Sequence, residues 1–243
     1  MTETFVLIHG SWHGGWAWED VRSRLEEGGY RTLAPTLAGH GPGAQRRGVR
    51  HADCVESVVR AVDSDGATDV VLVGHSFGGS VISKVVERIP DRVRRLVYLT
   101  AFVLENRQSI ADNLPADQVE EFGRLAAESP DGTVACPWEI FRDYFMQDAA
   151  PEAARSVWER LCPQPYQTWT DSLDLTQFFE LDTPRSYVAC RDDLALPPGA
   201  WHPGMSSRLG AFDLFEISGS HEVMFTRPAE VAQAILDASG IGG

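Results

Sequence analysis

The sequence predicts an α/β protein built on a mainly parallel sheet with helices on both faces. Two observations predict this class: apolar segments of strand length alternate with segments of helical apolar spacing, and glycine-rich turns follow two of the strand candidates. A length of 243 residues suits one such domain with an insertion. Ligands bind these sheets beyond the carboxyl ends of the strands, so we look for chemistry in the loops there.

The first strand candidate, Thr4–Ile8, runs directly into a glycine-rich loop at residues 9–16. A buried strand followed by such a loop lets backbone N–H groups point at a ligand, which is what an oxyanion hole requires. Ser11 is the natural donor in this loop. His9 and His13 lack a third ligand at suitable spacing, so we expect no metal. A turn that caps the next helix is a compatible interpretation of the same loop.

The next elements continue the alternation. A helix, a strand and a second helix are predicted at residues 20–27, 30–34 and 51–62. A strand of four apolar residues then begins at Val70 and is followed by the sequence Gly-His-Ser-Phe-Gly at residues 74–78. This spacing maintains the rhythm that a parallel sheet requires.

Ser76 is the candidate nucleophile. It follows a buried strand and precedes a helical pattern over residues 80–89, so it falls at a sharp turn between strand and helix. Glycines on both sides, Gly74 and Gly78, allow the strand and the helix to pass closely. The alternative interpretation of the motif is a glycine-rich loop that merely connects two elements.

A further strand is predicted at residues 95–101, after which the alternation breaks. Residues 103–182 contain no clear buried strand, and helical patterns occupy residues 117–128, 138–146 and 152–161. We therefore divide the chain into a core, residues 1–102 and 183–243, and a helical cap segment, residues 103–182. The cap segment is rich in aromatic residues, so we expect an apolar, partly aromatic substrate pocket. The candidate lining residues are Trp12, Phe102, Trp138 and Phe145.

The alternation resumes with strand candidates Arg185–Cys190 and Asp213–Ile217 and ends with a helix over Pro228–Ala238. A serine nucleophile needs a base, and the base needs an acid partner that fixes its tautomer. His221 follows the last strand, and of the seven histidines it alone has that position. Its interpretation as a base competes with that of a solvent-exposed loop histidine.

Five stretches together identify a resemblance, at residues 5–16, 74–78, 101–102, 162–165 and 187–197. Over nearly its full length the chain resembles the α/β-hydrolase superfamily, and most closely its small branch of plant methylesterases, hydroxynitrile lyases and bacterial esterase relatives. The resemblance implies an α/β-hydrolase fold with a small helical cap and no cofactor.

The resemblance also assigns catalytic roles. Ser76 matches the nucleophile of the family and His221 matches its base. The family places its acid three residues after the position of Cys190, which selects Asp193. Asp192 is the runner-up. The order of the three residues along the chain is the one that this fold uses.

The oxyanion donors implied by the resemblance are the backbone amides of Ser11 and Phe77. At two positions the chain differs from members of the superfamily that have other activities. Hydroxynitrile lyases carry a lysine directly after the histidine, where this chain has Glu222, and a second anion there would oppose cyanide. Haloalkane dehalogenases carry an aspartate at the position of Ser76.

The resulting hypothesis is a cofactor-independent serine hydrolase that cleaves a carboxylic ester, a methyl ester or lactone of an apolar or aromatic small molecule, through an acyl-enzyme. A second hypothesis keeps the three residues for non-hydrolytic chemistry, as a C–C lyase, retro-aldol enzyme or polyketide cyclase. A third is a ligand receptor, against which the intact Ser76, Asp193 and His221 argue.

The charge of the chain limits its partners. A formal net charge of −14 repels phosphate, so we expect a small-molecule substrate and neither a nucleic acid nor a membrane as partner, and a homodimer is left open. No apolar run reaches the roughly 20 residues that span a bilayer, and no secretory leader pattern is present, so we expect a cytoplasmic protein.

Overall fold

A computed structural model describes residues 3–241. The strands are β1 Thr4–Ile8, β2 Arg31–Leu33, β3 Val70–His75, β4 Val93–Leu99, β5 Thr133–Val134, β6 Gln164–Pro165, β7 Arg185–Cys190 and β8 Asp213–Ile217. Six of them form one sheet in the order β2-β1-β3-β4-β7-β8, and every neighbouring pair in it is parallel. The predicted α/β class with a mainly parallel sheet is confirmed.

Helices cover both faces of this sheet. Their bounds are α1 Glu19–Glu27, α2 His51–Asp65, α3 Gly78–Arg88, α4 Ala116–Glu128, α5 Trp138–Ile140, α6 Pro151–Trp158, α7 Gln167–Thr170, α8 Thr176–Glu180, α9 Val223–Thr226 and α10 Pro228–Ala238. Successive side chains of a strand point to opposite faces. Accordingly, Phe5 and Leu7 of β1 pack in the apolar layer with α1 and α10, whereas Val6 and Ile8 pack in the layer with α2 and α3.

Between β4 and β7 the chain forms helices α4 to α8 and a small antiparallel ribbon, in which Thr133 pairs with Pro165 and Val134 with Gln164. We call β5 and β6 the cap ribbon. The sequence predicted no strand there, because two-residue strands are too short for an alternating pattern to appear. The division of the chain into a core and a cap segment at residues 103–182 stays a prediction.

Element bounds mostly follow the sequence, with one clear difference. The helix expected at residues 138–146 is α-helical only over Trp138–Ile140 and continues as a π-helical turn over Phe141–Phe145. Helices α7, α8 and α9 have four or five residues each, too few for apolar periodicity to reveal them. Within residues 3–241, no helix combines the length and the apolarity needed to cross a membrane.

Candidate active site

Ser76 occupies a strained corner between β3 and α3. Its φ is +51°, in the left-handed region that side chains other than glycine disfavour. The corner is tight, because a Cβ atom on Gly74 would lie 2.6 Å from the carbonyl oxygen of Gly78, and one on Gly78 would lie 2.6 Å from that of Ile8. Only glycine fits at these two positions. The corner presents Ser76 at the carboxyl end of the sheet.

Three side chains form one hydrogen-bonded chain from this corner. The Nε2 atom of His221 lies 2.9 Å from Ser76 Oγ, and its Nδ1 atom lies 2.7 Å from Asp193 Oδ2. The Thr100 hydroxyl donates to the same carboxylate oxygen, and the Ala195 amide donates to Oδ1 at 2.8 Å. Since both carboxylate oxygens are engaged, the aspartate is held in the orientation that fixes the imidazole.

Asp192 lies outside this chain. Its Oδ2 atom accepts the Gly219 amide at 2.9 Å, and its own amide donates to the Gly219 carbonyl at 3.2 Å. Asp192 therefore braces the loop that precedes His221. The structure brings Asp193 to the imidazole and leaves Asp192 exposed at the surface.

The surroundings of His221 favour its protonated form. Burial by itself lowers the pKa of this imidazole, but the charge of Asp193 and the hydrogen bond to it raise the pKa above the ordinary 6.5. An imidazole of this kind is suited to taking a proton from Ser76, because the imidazolium that forms is stabilised by the adjacent carboxylate.

Glu222 follows His221 and is buried, with 2% of its side chain exposed. Burial raises the pKa of its carboxyl group to about 8, so the group is mainly neutral at pH 7. The expectation of an anion beside His221 is thereby corrected. Its Oε2 atom faces His13 Nε2 at 3.5 Å, and neither atom has a hydrogen-bond partner among the described residues. Burial also lowers the pKa of His13 to about 3, so this imidazole is neutral.

The two predicted oxyanion donors lie in buried loops at the carboxyl end of the sheet. Ser11 follows β1, and Phe77 follows Ser76 at the amino end of α3. Within residues 3–241, neither amide N–H donates to a protein acceptor. An unpaired buried N–H is costly, and it is what an oxyanion site needs. The geometry leaves both groups available to a ligand.

A cavity of about 560 Å³ opens onto these residues, and Ser11, Ser76 and His221 form part of its wall. The predicted lining residues Trp12 and Phe102 contact it, as does Phe145. Further aromatic residues on the wall are Phe122, Tyr144, Trp169 and Trp201. No Lys, Arg, Asp or Glu lies among the lining residues, so the described wall carries no fixed charge. A neutral, apolar ligand suits it.

The pocket prediction is wrong for Trp138. Its ring packs edge-on against Trp158 at 5.7 Å, beneath the Arg155 guanidinium at 4.7 Å. Because a π-helical turn follows the short helix, the side chains of Trp138 and Phe145 point in different directions. The ring centroid of Phe145 lies 5.0 Å from that of His221, whereas Trp138 packs within the cap segment.

Sequence reasoning missed Trp201, whose ring stacks on His221 at 5.3 Å. No periodic pattern precedes it, so the sequence carried no signal for its position. Phe122 was visible only as part of the apolar face of a helix, which predicts burial without distinguishing a cavity wall from a core. Thr100 was missed because a single threonine after a strand has no recognisable pattern.

The histidines of the first loop serve structural hydrogen bonds. His9 Nε2 accepts the Leu37 amide at 3.1 Å, while Nδ1 of His13 donates to the Ser11 carbonyl at 2.7 Å. In the described part of the chain, no group of three or more His, Cys, Asp or Glu side chains is arranged to hold a metal ion.

The chain is similar to known hydrolases over most of its length. The family model described as "Alpha/beta hydrolase family" matches residues 5–234. A solved structure, described as an extracellular alpha/beta-hydrolase from a Paenibacillus species with structural and functional homology to tobacco salicylic acid binding protein 2, is 36% identical and has a TM-score of 0.93. That match covers 97% of this chain and 98% of the Paenibacillus chain.

Two curated relatives match more partially. The carbendazim hydrolyzing esterase of Nocardioides sp. (strain SG-4G) is 43% identical over 113 residues, which cover 46% of this chain and 47% of the esterase. The putative chloroplastic methylesterase 15 of Arabidopsis thaliana is 23% identical over 252 residues, covering 98% of this chain and 57% of that protein. The matches thus span about half the length of these two relatives.

Proposed function

The chain belongs to the alpha/beta hydrolase family, and on that premise we propose that it is a cofactor-independent serine hydrolase of carboxylic esters. The observation that carries the proposal is the continuous chain from Ser76 through His221 to Asp193, at 2.9 Å and 2.7 Å, which opens on an apolar cavity. The relatives described as esterases support the same chemistry.

Acylation follows from the geometry. Ser76 Oγ attacks the ester carbonyl while His221 Nε2 takes the hydroxyl proton, and Asp193 stabilises the imidazolium. The carbonyl oxygen gains negative charge and receives hydrogen bonds from the amides of Ser11 and Phe77. The tetrahedral intermediate collapses as His221 gives its proton to the departing alcohol. The product of this step is an acyl-enzyme on Ser76.

Deacylation repeats the same steps with water as nucleophile. His221 takes a proton from a water molecule, whose oxygen attacks the acyl carbonyl, and the same two amides stabilise the second tetrahedral intermediate. Collapse returns the proton to Ser76 Oγ and releases the carboxylic acid. The acid ionises, and a cavity wall without lysine or arginine gives the resulting carboxylate little stabilisation, which favours its release.

The substrate class follows from the cavity. Aromatic rings at Trp12, Trp169 and Trp201 supply flat apolar surface beside the nucleophile. A volume of about 560 Å³ accommodates a small molecule of drug-like size. We therefore propose a neutral methyl ester or lactone with an apolar or aromatic acyl group.

The test is a comparison of the wild type with Ser76→Ala. A fluorophosphonate should label the wild type, and a short-chain p-nitrophenyl ester should be hydrolysed by it. Both signals should vanish in the variant, because the Ser76 hydroxyl that His221 activates is then absent. Turnover that persists in Ser76→Ala would contradict the proposal. Labelling of the wild type without ester turnover would instead favour lyase, cyclase or receptor chemistry.

Location and partners are also proposals. We propose a cytoplasmic protein with a small-molecule substrate and no nucleic-acid or membrane partner. The four cysteines are free, which suits a reducing compartment. The similar Paenibacillus protein is described as extracellular, so fractionation of the native host with an antibody to this chain is the deciding measurement. Light scattering of the purified protein tests the homodimer.

A further inference from the structure

Trp12 directly follows the predicted oxyanion donor Ser11 and has an unusual backbone. Its φ is +66°, a conformation that an aromatic residue disfavours and keeps only where its surroundings hold it. Trp12 is buried, with 4% of its surface exposed. The contacts that hold it therefore decide the shape of the loop at residues 9–16, which we call the oxyanion loop.

Every polar atom of Trp12 is bonded to the cap segment. Its amide donates to Gln164 Oε1 at 3.0 Å, its carbonyl accepts the Cys162 amide at 2.8 Å, and its indole Nε1 donates to the Val134 carbonyl at 2.9 Å. Val134 and Gln164 are paired residues of the cap ribbon. The indole Nε1 of Trp169 adds a fourth bond, to Ser11 Oγ at 3.0 Å. The cap segment thus forms hydrogen bonds with Ser11, the predicted oxyanion donor, and with Trp12, which follows it.

Gln164 is the side chain that completes this arrangement. It is fully buried, with no exposed surface. Besides the Trp12 amide, its Oε1 atom faces His40 Nε2 at 2.8 Å, and its Nε2 atom donates to Thr168 Oγ1 at 2.7 Å. A buried amide side chain is costly unless it is bonded, so three partners in fixed directions leave it one orientation.

The bond to Gln164 acts on one particular peptide unit. The Ser11 carbonyl and the Trp12 amide belong to the same plane, and the carbonyl accepts His13 Nδ1–H at 2.7 Å. The plane is therefore bonded at one side to His13 of the same loop and at the other to the cap segment. The donor N–H of Ser11 lies in the preceding Gly10–Ser11 plane, whose carbonyl faces His9 Nδ1 at 2.8 Å, and the two planes meet at the Ser11 Cα. Rotation of the Ser11–Trp12 plane changes ψ of Ser11 and φ of Trp12, and in a loop whose ends are held such a rotation is compensated in the neighbouring plane, which turns the donor N–H.

We propose that Gln164 is a positioning residue, through which the cap segment holds the oxyanion loop so that the Ser11 amide points at the reacting carbonyl. This inference rests on the proposed ester hydrolysis. It gives the cap segment a role in the chemical step in addition to covering the cavity. A positioning role of this kind affects the transition state more than substrate binding, because the oxyanion forms only during reaction.

The kinetic test uses Gln164→Met, which retains length and volume but removes the acceptor. The matched control is Gln167→Met, the same change three residues along, at an exposed glutamine whose side chain bonds only Thr170 and Asp171. Loss of a full oxyanion donor costs about 10²–10³-fold in kcat, so a misdirected one should cost about 10- to 100-fold. KM should change by no more than about threefold, and the control should match the wild type.

A second measurement reads the loop directly and needs no turnover. Amide hydrogen exchange should become faster in peptides covering residues 9–16 of Gln164→Met and remain unchanged in those covering β3 and α3. An unchanged loop, or a kcat within about twofold of wild type, would overturn the inference. Faster exchange throughout the molecule would also overturn it, since that outcome describes general destabilisation.

The two proposals fail in different ways. If the wild type hydrolyses no ester, the proposed function fails, while exchange at residues 9–16 still reports whether Gln164 holds the loop. If the wild type is active and Gln164→Met behaves like the control in both measurements, only the positioning role fails.

Discussion

Glu222 shows how strongly one buried side chain depends on its surroundings. A glutamate next to a histidine is ordinarily an anion at pH 7, but burial raises the pKa of Glu222 to about 8 and makes the neutral acid the main form at pH 7. The titratable groups near it are His13, His221, Asp193, Cys136 and Cys190. The Oε2 atom of Glu222 faces the unpaired Nε2 of His13 at 3.5 Å.

The raised pKa of Glu222 makes stability depend on pH. The folded-state pKa of about 8 exceeds the ordinary 4.5, so the contribution is fully present below about pH 4.5 and is lost as pH rises through about 8. Gln does not titrate. The Tm of Glu222→Gln relative to wild type should therefore increase by several degrees between about pH 5 and about pH 8. Thermal unfolding followed by circular dichroism measures both Tm values. A Tm difference between variant and wild type that stays constant across this pH range would refute the raised pKa of Glu222.

Asp193 and Asp192 provide a matched pair at adjacent positions. Asp193→Asn removes the charge that stabilises the His221 imidazolium, and in a triad of this kind kcat falls by about 10⁴-fold. Asp192→Asn should remain within about threefold of wild type, since the Asp192 carboxylate accepts the Gly219 amide and does not reach the imidazole. Steady-state kinetics on a p-nitrophenyl ester compare the two. Equal losses in both variants would contradict the assignment of Asp193.

The pH profile of the same variants gives an independent check. His221 must be neutral to accept a proton, so kcat/KM falls as pH falls through its pKa. In the wild type this pKa lies above 6.5, chiefly because the charge of Asp193 outweighs burial. The acid limb should therefore move to lower pH in Asp193→Asn and stay in place in Asp192→Asn.

The strand, the corner and the helix around Ser76 were the most predictable part of the molecule. Strand β3 begins as a run of apolar residues, and the spacing of Gly74, Gly78 and Gly79 leaves little freedom in how the chain turns. Local sequence determines such a corner because the close contacts lie within a few residues of one another. Ser76 and the start of α3 were accordingly located from sequence alone.

The cap ribbon, by contrast, could not be predicted from the sequence. Its two strands have two residues each and lie about thirty positions apart, at Thr133–Val134 and Gln164–Pro165. Neither has a periodic signal, and neither is stable except against the other and against Trp12. The positioning role that we infer for Gln164 belongs to this element, and only the packed chain reveals it.

The formal net charge of −14 and the absence of lysine and arginine from the cavity wall both disfavour an anionic substrate. The long-range field repels anions, and the wall has no lysine or arginine to bind one. A neutral aryl methyl ester should therefore have a kcat/KM at least about tenfold above that of the same ester carrying a ring carboxylate, a difference of ~1.4 kcal/mol. Added salt should narrow the difference. Faster turnover of the anionic ester would contradict this charge argument.

The sequence by itself determined the α/β class, the order of the sheet elements in the chain and the motifs that hold Ser76, His221 and the adjacent Asp192 and Asp193. These properties depend on local periodicity and on motifs of a few residues. Tertiary structure decided what depends on distance between remote segments: the contact of Asp193 with His221, the neutral state of Glu222, the turning of Trp138 away from the cavity and the bonds from the cap segment to Trp12. Burial and hydrogen-bond direction exist only once the chain is packed, so no linear pattern encodes them separately.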